Sequence, residues 1–306
     1  MHPRTSFERT EESRCKTWLA ATRPRTLPAA ISPVLVGSAL AWRAGAFNAP
    51  AALLCLAFAL LVQIGANFAN DYYDHVHGAD TRERSGPVRA VAAGLVTPGA
   101  MRRAMGLVFG LAFCTGMGLV AWGGWWLVAV GVASIAGAIA YTGGPYPLGY
   151  HGLGDVFVFV FFGLVAVCVT FFVQAGCVTA SSLLAGAAVG ALATNILLVN
   201  NYRDAGTDAK AGKRTLVVRF GLRCARVQFG AAHAVAAAVP LAFAALGLLG
   251  PGVALAVAAA AAVSGFVLHR GLRAAAGPAE CIGLLGRSSG YLSAYAIVLS
   301  GAIVAG

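Results

Sequence analysis

Apolar positions along this chain form long continuous runs rather than an alternating strand pattern. Runs long enough to cross a hydrocarbon core of roughly 30 Å, which takes about 17 to 25 residues each, fall near 27–45, 51–73, 99–121, 124–142, 154–176, 181–203, 225–248, 251–270 and 282–305. The pattern predicts an all-α polytopic membrane helix bundle with nine transmembrane helices. Residues 1–26 are polar and basic, and they read as a cytoplasmic segment, disordered at first and then lying at the interface. Residues 27–306 read as one transmembrane domain. Residues 38–41 faintly imitate a signal-peptidase site, but Pro28 and Pro33 interrupt the run, which reads as a first spanning helix.

Two polar stretches break this pattern at the ends of apolar runs. Residues 67–89 bring Asp71, Asp74 and Asp80 to the end of the second run, and Asn200, Asp204 and Asp208 repeat the arrangement at the end of the sixth. Ionisable groups at membrane depth are expensive, so each stretch is a functional-site hypothesis by default.

The composition agrees: 306 residues, 59% hydrophobic and 11% charged, with mean hydropathy +0.77. The formal charge of +11 would suggest nucleic acid in a soluble protein. Here its placement points to membrane orientation, and no nucleic-acid partner is expected. With the N-terminus cytoplasmic, all of the 22 Lys and Arg except Arg43 fall in cytoplasmic segments, as the positive-inside rule requires. Both carboxylate stretches then share one face, in an inner (plasma) membrane protein with a cytoplasmic active site. The seven cysteines show no CxxC or Cys/His spacing and read as small buried hydrophobes.

Asn200, Asp204 and Asp208 stand at i, i+4 and i+8, one stripe on a helix. Asn67/Asp71 and Asn70/Asp74 repeat the spacing, with Asp80 beyond Gly78 free to fold back. Magnesium takes oxygen ligands, keeps several waters and is held by a few carboxylates plus substrate phosphates. Facing carboxylates repel one another without a cation, which favours bound metal. Arg84, Arg89, Lys213 and Arg214 could take the remaining phosphate oxygens. The same residues could instead be solvated juxtamembrane ion pairs or a proton relay. His75 and His77 read as interfacial. Residues 141–155, Gly-rich and containing His151, read as a kinked re-entrant loop if not functional. Trp122, Trp125 and Trp126 suggest an aromatic belt, and residues 157–162 either face lipid, the safer reading, or line an apolar groove.

At Asn70-Asp71-Tyr72-Tyr73-Asp74 and Asn200-Asn201-Tyr202-Arg203-Asp204-Ala205-Gly206-Thr207-Asp208 the chain resembles the UbiA superfamily of intramembrane prenyltransferases. Arg23-Pro24-Arg25-Thr26-Leu27-Pro28, the 141–155 stretch and Lys213-Arg214-Thr215-Leu216-Val217-Val218-Arg219 narrow it to the branch acting on 1,4-dihydroxy-2-naphthoate. The resemblance implies nine helices around a central cavity, magnesium-bound diphosphate under a cytoplasmic cap, and a lateral opening for a lipid tail. It also implies polyprenyl transfer from a polyprenyl diphosphate to a small aromatic acid, with decarboxylation, giving demethylmenaquinone. By this reading Asp71, Asp74, Asp80, Asp204 and Asp208 hold magnesium, and Tyr141 joins the aspartates as catalytic. Asn70, Arg84, Arg89, Asn200, Lys213 and Arg214 bind diphosphate, while Arg23, Arg25 or His151 recognises the acceptor's carboxylate. The chain departs from the superfamily at Gly78, where an Asp is common, and at Pro145, where a basic residue is usual; other cations must then contact the diphosphate.

Other classes stay open at this level. A different acceptor, such as 4-hydroxybenzoate or homogentisate, would keep the chemistry. An ion-coupled transporter would place charges at the midplane on discontinuous helices. A CDP-alcohol phosphotransferase would need a compact Asp-Gly/Ala-Arg pattern, which the chain lacks.

Overall fold

The computed structural model describes residues 6–79 and 89–306, with backbone only for residues 6–13. Asp80 and Arg84 lie outside the described residues. The chain is helical, with no strand among the described residues: α1 (Ser6–Ala21), α2 (Pro28–Arg43), α3 (Ala49–Val76), α4 (Pro98–Gly123), α5 (Trp126–Ala140), α6 (Gly154–Ala175), α7 (Ala180–Lys210), α8 (Leu216–Ala245), α9 (Pro251–Ala274) and α10 (Pro278–Ala305). Each of the nine expected runs falls on one of α2 to α10. Seven of these are long and apolar enough to cross a membrane. The other two, α2 with 16 residues and α5 with 15, reach only about 24 Å at 1.5 Å per residue.

The punctuation is chemical. Asn48, Thr97, Thr179 and Thr215 each accept a hydrogen bond from a first-turn N–H, satisfying donors that a helix start leaves open. Pro98, Pro251 and Pro278 occupy first helical positions, where no N–H is needed.

Residues 6–21 of the N-terminal segment form α1, docked through Trp18 edge-on against Phe68 at 5.7 Å. Helix α7 runs through Asp204 and Asp208 to Lys210, which puts both on the helix end that their spacing predicts. One expectation is corrected. Residues 157–162 do not simply face lipid, because α6 is π-wound over Phe159–Val165. Residues four apart advance about 40° around an α-helix, and the wider π turn counter-rotates them. Phe157, Phe161, Val165 and Val169 therefore stay on one inward stripe. Trp122, Trp125 and Trp126 are exposed, as a belt requires.

The helices close into a ring, with α2 against α3, α3 against α4 and α5, α4 against α5 and α6, α6 against α7, and α7, α8, α9 and α10 in succession returning to α2. Helix α7 is the most buried span. Its approach to α6 depends on glycines: a Cβ on Gly190 would lie 2.6 Å from the Phe159 carbonyl oxygen and 2.9 Å from the Gly163 Cα. Small residues at such crossings let backbones touch in lipid. Gly190→Leu is expected to destabilise the protein by about 1–3 kcal/mol or more through overpacking, read as a lower melting temperature in detergent. Gly301→Ala, with open space at its Cβ, is the control that should melt like the parent.

Candidate functional site: a polar mouth on an apolar cavity

The ring encloses a cavity of about 610 Å³, within the range of ligand sites. It begins among polar side chains at the C-terminal ends of α3 and α7 and continues past Phe157 and Phe161 to Cys55, Leu119 and Leu127. From Asp74 to Cys55 the α3 wall is about 28 Å long at the helical rise.

On α3, Asn67, Asn70, Asp71 and Asp74 share a face by i, i+3/i+4 geometry, and all four line the cavity. Asn67 donates through Nδ2 to the Thr22 carbonyl (2.8 Å) and to Thr26 Oγ1 (3.1 Å). Gln63 donates to the same hydroxyl at 3.0 Å, so α3 anchors the turn before α2. In that turn Arg23 takes a left-handed conformation (φ 51°), a strained choice for a side chain of this size. Arg23 and Arg25 both line the cavity.

Asn70 Oδ1 accepts from Thr142 Oγ1 at 2.9 Å. The carboxylate of Asp71 accepts the backbone N–H groups of Ala90 (3.0 Å) and Val91 (3.2 Å), fastening the segment before α4. Asp74, 2% exposed, gathers three segments onto α3. Arg89 NH2 meets Oδ2 at 2.8 Å, while the Tyr150 hydroxyl (2.7 Å) and Lys213 Nζ (3.2 Å) donate to Oδ1. Lys213 also stands 4.5 Å from the Tyr150 ring centroid. Backbone ties continue the cap: Arg214 N donates to the Tyr150 carbonyl at 2.7 Å. Gly152, at φ 77°, passes the Arg214 carbonyl so closely that a Cβ would sit 2.9 Å from it.

On α7, Asn200, Asn201, Arg203 and Asp208 line the cavity. Arg203 grips its neighbour Asp204 in a fork, Nε to Oδ1 at 2.7 Å and NH2 to Oδ2 at 2.6 Å. Tyr141, just beyond α5, lies against Phe157 with centroids 6.2 Å apart. Its phenol is an O–H donor at neutral pH, like any tyrosine.

Of the residues that spacing and resemblance singled out, Arg23, Arg25, Asn70, Asp71, Asp74, Arg89, Tyr141, Asn200, Asp208 and Lys213 meet at this cavity. Asp204, Arg214 and His151 are not on its wall. Asp204 is drawn to Arg203. Arg214 is exposed in the cap, where its carbonyl accepts from Arg219 Nε. His151 is stacked on Tyr146 at 3.6 Å, with Nδ1 2.9 Å from the Pro147 carbonyl. Sequence reasoning missed Tyr150, Thr142 and Arg203 as site groups; their only signal was membership of the quoted stretches. Asp155, another buried carboxylate, accepts from Gln228 at 2.8 Å and ties α6 to α8.

The oxygen-only donors at the mouth suit a hard divalent cation. No three His, Cys, Asp or Glu residues converge on one point among the described residues.

A ring of apolar helices around a cavity with a charged mouth and an aromatic, aliphatic body defines a multi-pass membrane protein built to receive a ligand with an anionic head and a long apolar tail. The chain belongs to the UbiA prenyltransferase family, whose pattern it matches over residues 30–280. It is 43% identical over 215 residues to a 1,4-dihydroxy-2-naphthoate octaprenyltransferase of Escherichia coli, covering 68% of this chain and 70% of that one. It is 47% identical over 205 residues to a Mycobacterium tuberculosis protein of the same name, covering 67% and 70%. In fold it is similar to a UbiA homolog from Aeropyrum pernix K1 (TM-score 0.67, 16% identity, 90% and 97% covered). A UbiA homolog from Archaeoglobus fulgidus bound to GPP and Mg2+ is also similar (TM-score 0.64, 15% identity, 95% and 100% covered).

Asp71 is expected to be needed for folding stability whatever else it does. Asp71→Ala strands two buried N–H groups, at about 1–3 kcal/mol each, and should lower the melting temperature and expose the segment before α4 to protease. An unchanged melt would show that those two bonds contribute nothing.

Proposed function

We propose that this chain transfers a polyprenyl group from a polyprenyl diphosphate to 1,4-dihydroxy-2-naphthoate, with loss of the acceptor's carboxylate as carbon dioxide, as a step of menaquinone biosynthesis. The observation that carries this reading is the polarity gradient of one cavity, from Asp74, Arg89, Lys213 and Asp208 at the mouth to Phe157, Phe161 and Leu119 within. A prenyl diphosphate has the same gradient. The names of the E. coli and M. tuberculosis relatives support the choice of acceptor.

In this reading Arg89 and Lys213 take phosphate oxygens as charge-assisted donors, and Asn70 and Asn200 add neutral ones. Arg84 would join them from outside the described residues; Arg214, exposed in the cap, is the weakest of the set. Asp71, Asp74, Asp204 and Asp208, with Asp80 outside the described residues, are the groups that would hold magnesium. When bound, magnesium supplies Lewis-acid neutralisation of the leaving diphosphate. The allylic C–O bond breaks with its electron pair on the diphosphate, and a ring carbon of the acceptor forms the new C–C bond. Loss of the carboxylate as carbon dioxide returns its electron pair to the ring, leaving the product at the quinol level. The face of Tyr141, at the junction of polar mouth and apolar body, stabilises the developing cation as an aromatic ring can, and the dry walls beyond keep water from it. Arg23 and Arg25 are the groups that would receive the acceptor's carboxylate, His151 being engaged in the cap. The bilayer solvates the tail.

Carboxyl-labelled dihydroxynaphthoate given with a polyprenyl diphosphate and magnesium should release labelled carbon dioxide in step with prenylated product, and chelation should stop both. Product that keeps the label, or turnover only with 4-hydroxybenzoate, would assign another acceptor.

We also propose a cytoplasmic mouth in the inner (plasma) membrane, on the distribution of the basic residues. With the exposed Cys15, Cys114, Cys177 and Cys224 replaced by Ser, Ala211→Cys should react with an impermeant thiol reagent from the cytoplasmic side alone. Labelling in intact cells would invert the orientation.

A further inference from the structure

The ion pairs described at the mouth have one composition in common. Each joins a carboxylate suited to metal with a cation suited to phosphate: Asp74 with Arg89 at 2.8 Å and Lys213 at 3.2 Å, and Asp204 with Arg203 at 2.6 Å. The Arg203 side chain is 2% exposed and lines the cavity, while Asp204, which it holds, does not. Neither helical spacing nor the resemblance marked Arg203 for a ligand. It is nevertheless a desolvated planar fork on a wall otherwise suited to an anion, and such a fork matches phosphate bidentately.

We propose that Arg203 is a diphosphate-binding residue held in reserve by Asp204, and that the mouth loads by exchange of partners. On loading, Arg203, Arg89 and Lys213 pass from carboxylate to phosphate oxygens, and the carboxylates they release turn to the metal that accompanies the diphosphate. This rests on the reading above that the mouth receives a diphosphate. The driving consideration is charge. Metal alone that draws on Asp74 or Asp204 takes the carboxylate from its cation and leaves an Arg or Lys in the bundle unpaired, which is unfavourable. Diphosphate alone leaves buried carboxylates in the same condition. Together the two ligands satisfy every group, so each raises the affinity of the other by a common factor.

The test measures binding to the purified full chain in nanodiscs, by calorimetry and thermal melting. The probes are magnesium alone, inorganic pyrophosphate with chelator, and the two together. Wild type should bind magnesium alone weakly and magnesium pyrophosphate well. Arg203→Gln should move the two in opposite directions, metal alone about tenfold tighter and magnesium pyrophosphate about tenfold weaker, in the range usual for coupled sites. Its ligand-free melt should fall and be restored by magnesium alone, while Arg203→Lys, which keeps the charge but not the fork, should bind magnesium alone as weakly as wild type and magnesium pyrophosphate less tightly than wild type but more tightly than Arg203→Gln. Lys213→Gln makes the same test at Asp74 if Arg203→Gln does not fold. Metal-alone affinity that is unchanged or weaker in these variants, with wild-type binding intact, overturns the exchange. A wild type that does not bind magnesium pyrophosphate at all would instead overturn the diphosphate reading and the exchange with it.

Discussion

Charge neutrality inside an apolar bundle is the constraint on which this structure depends. A carboxylate removed from water costs several kcal/mol unless paired and hydrogen-bonded, and the described aspartates that end α3 and α7 meet that requirement in different ways. Asp71 is answered by two backbone amides, Asp74 by an arginine, a lysine and a phenol, and Asp204 by the preceding residue in its own helix. The partners come from the segment before α4, the 141–155 connection and the segment after α7. Pairing three elements onto α3 builds the cap over the mouth, so the charged groups of the mouth also hold it together.

The apolar half follows from a second constraint: a cavity inside a lipid-solvated ring must be kept open without hydrophobic pressure to organise it. The Gly163/Gly190 approach lets α6 and α7 touch backbone to backbone, so α6 can turn its side chains inward instead of spending them on the crossing. The π-wound stretch then keeps Phe157, Phe161, Val165 and Val169 on the cavity side over about three turns. A regular α-helix would carry that stripe off toward a neighbour.

Much of this was legible in the sequence where the signal is local. The apolar runs located α2 to α10, and the i, i+4 spacing of Asn67/Asp71, Asn70/Asp74 and Asn200/Asp204/Asp208 located the two polar helix ends. What was not legible is what those groups face. Tyr150 is 76 residues from Asp74 and Lys213 is 139, and no periodicity links them. The inward turn of residues 157–162 depends on winding, which composition does not encode, and the order of α1 depends on Trp18 finding Phe68. His151 shows the same limit from the other side: its Gly-rich stretch was visible, but that its ring stacks on Tyr146 beside the Pro147 carbonyl was not.

The two constraints meet at Tyr141. Below it the walls are dry and aromatic; above it lie charges that are tolerable only in pairs. A reaction that separates an anionic leaving group from an allylic cation needs the charges on one side of such a boundary and the cation on the other. Were the paired charges to extend deeper, water would follow them and compete for the cation. Were the apolar lining to rise to the mouth, nothing would offset the leaving group. Tyr141, on the cavity wall and packed on Phe157, joins an aromatic ring to a phenol O–H, so its side chain is compatible with both regions.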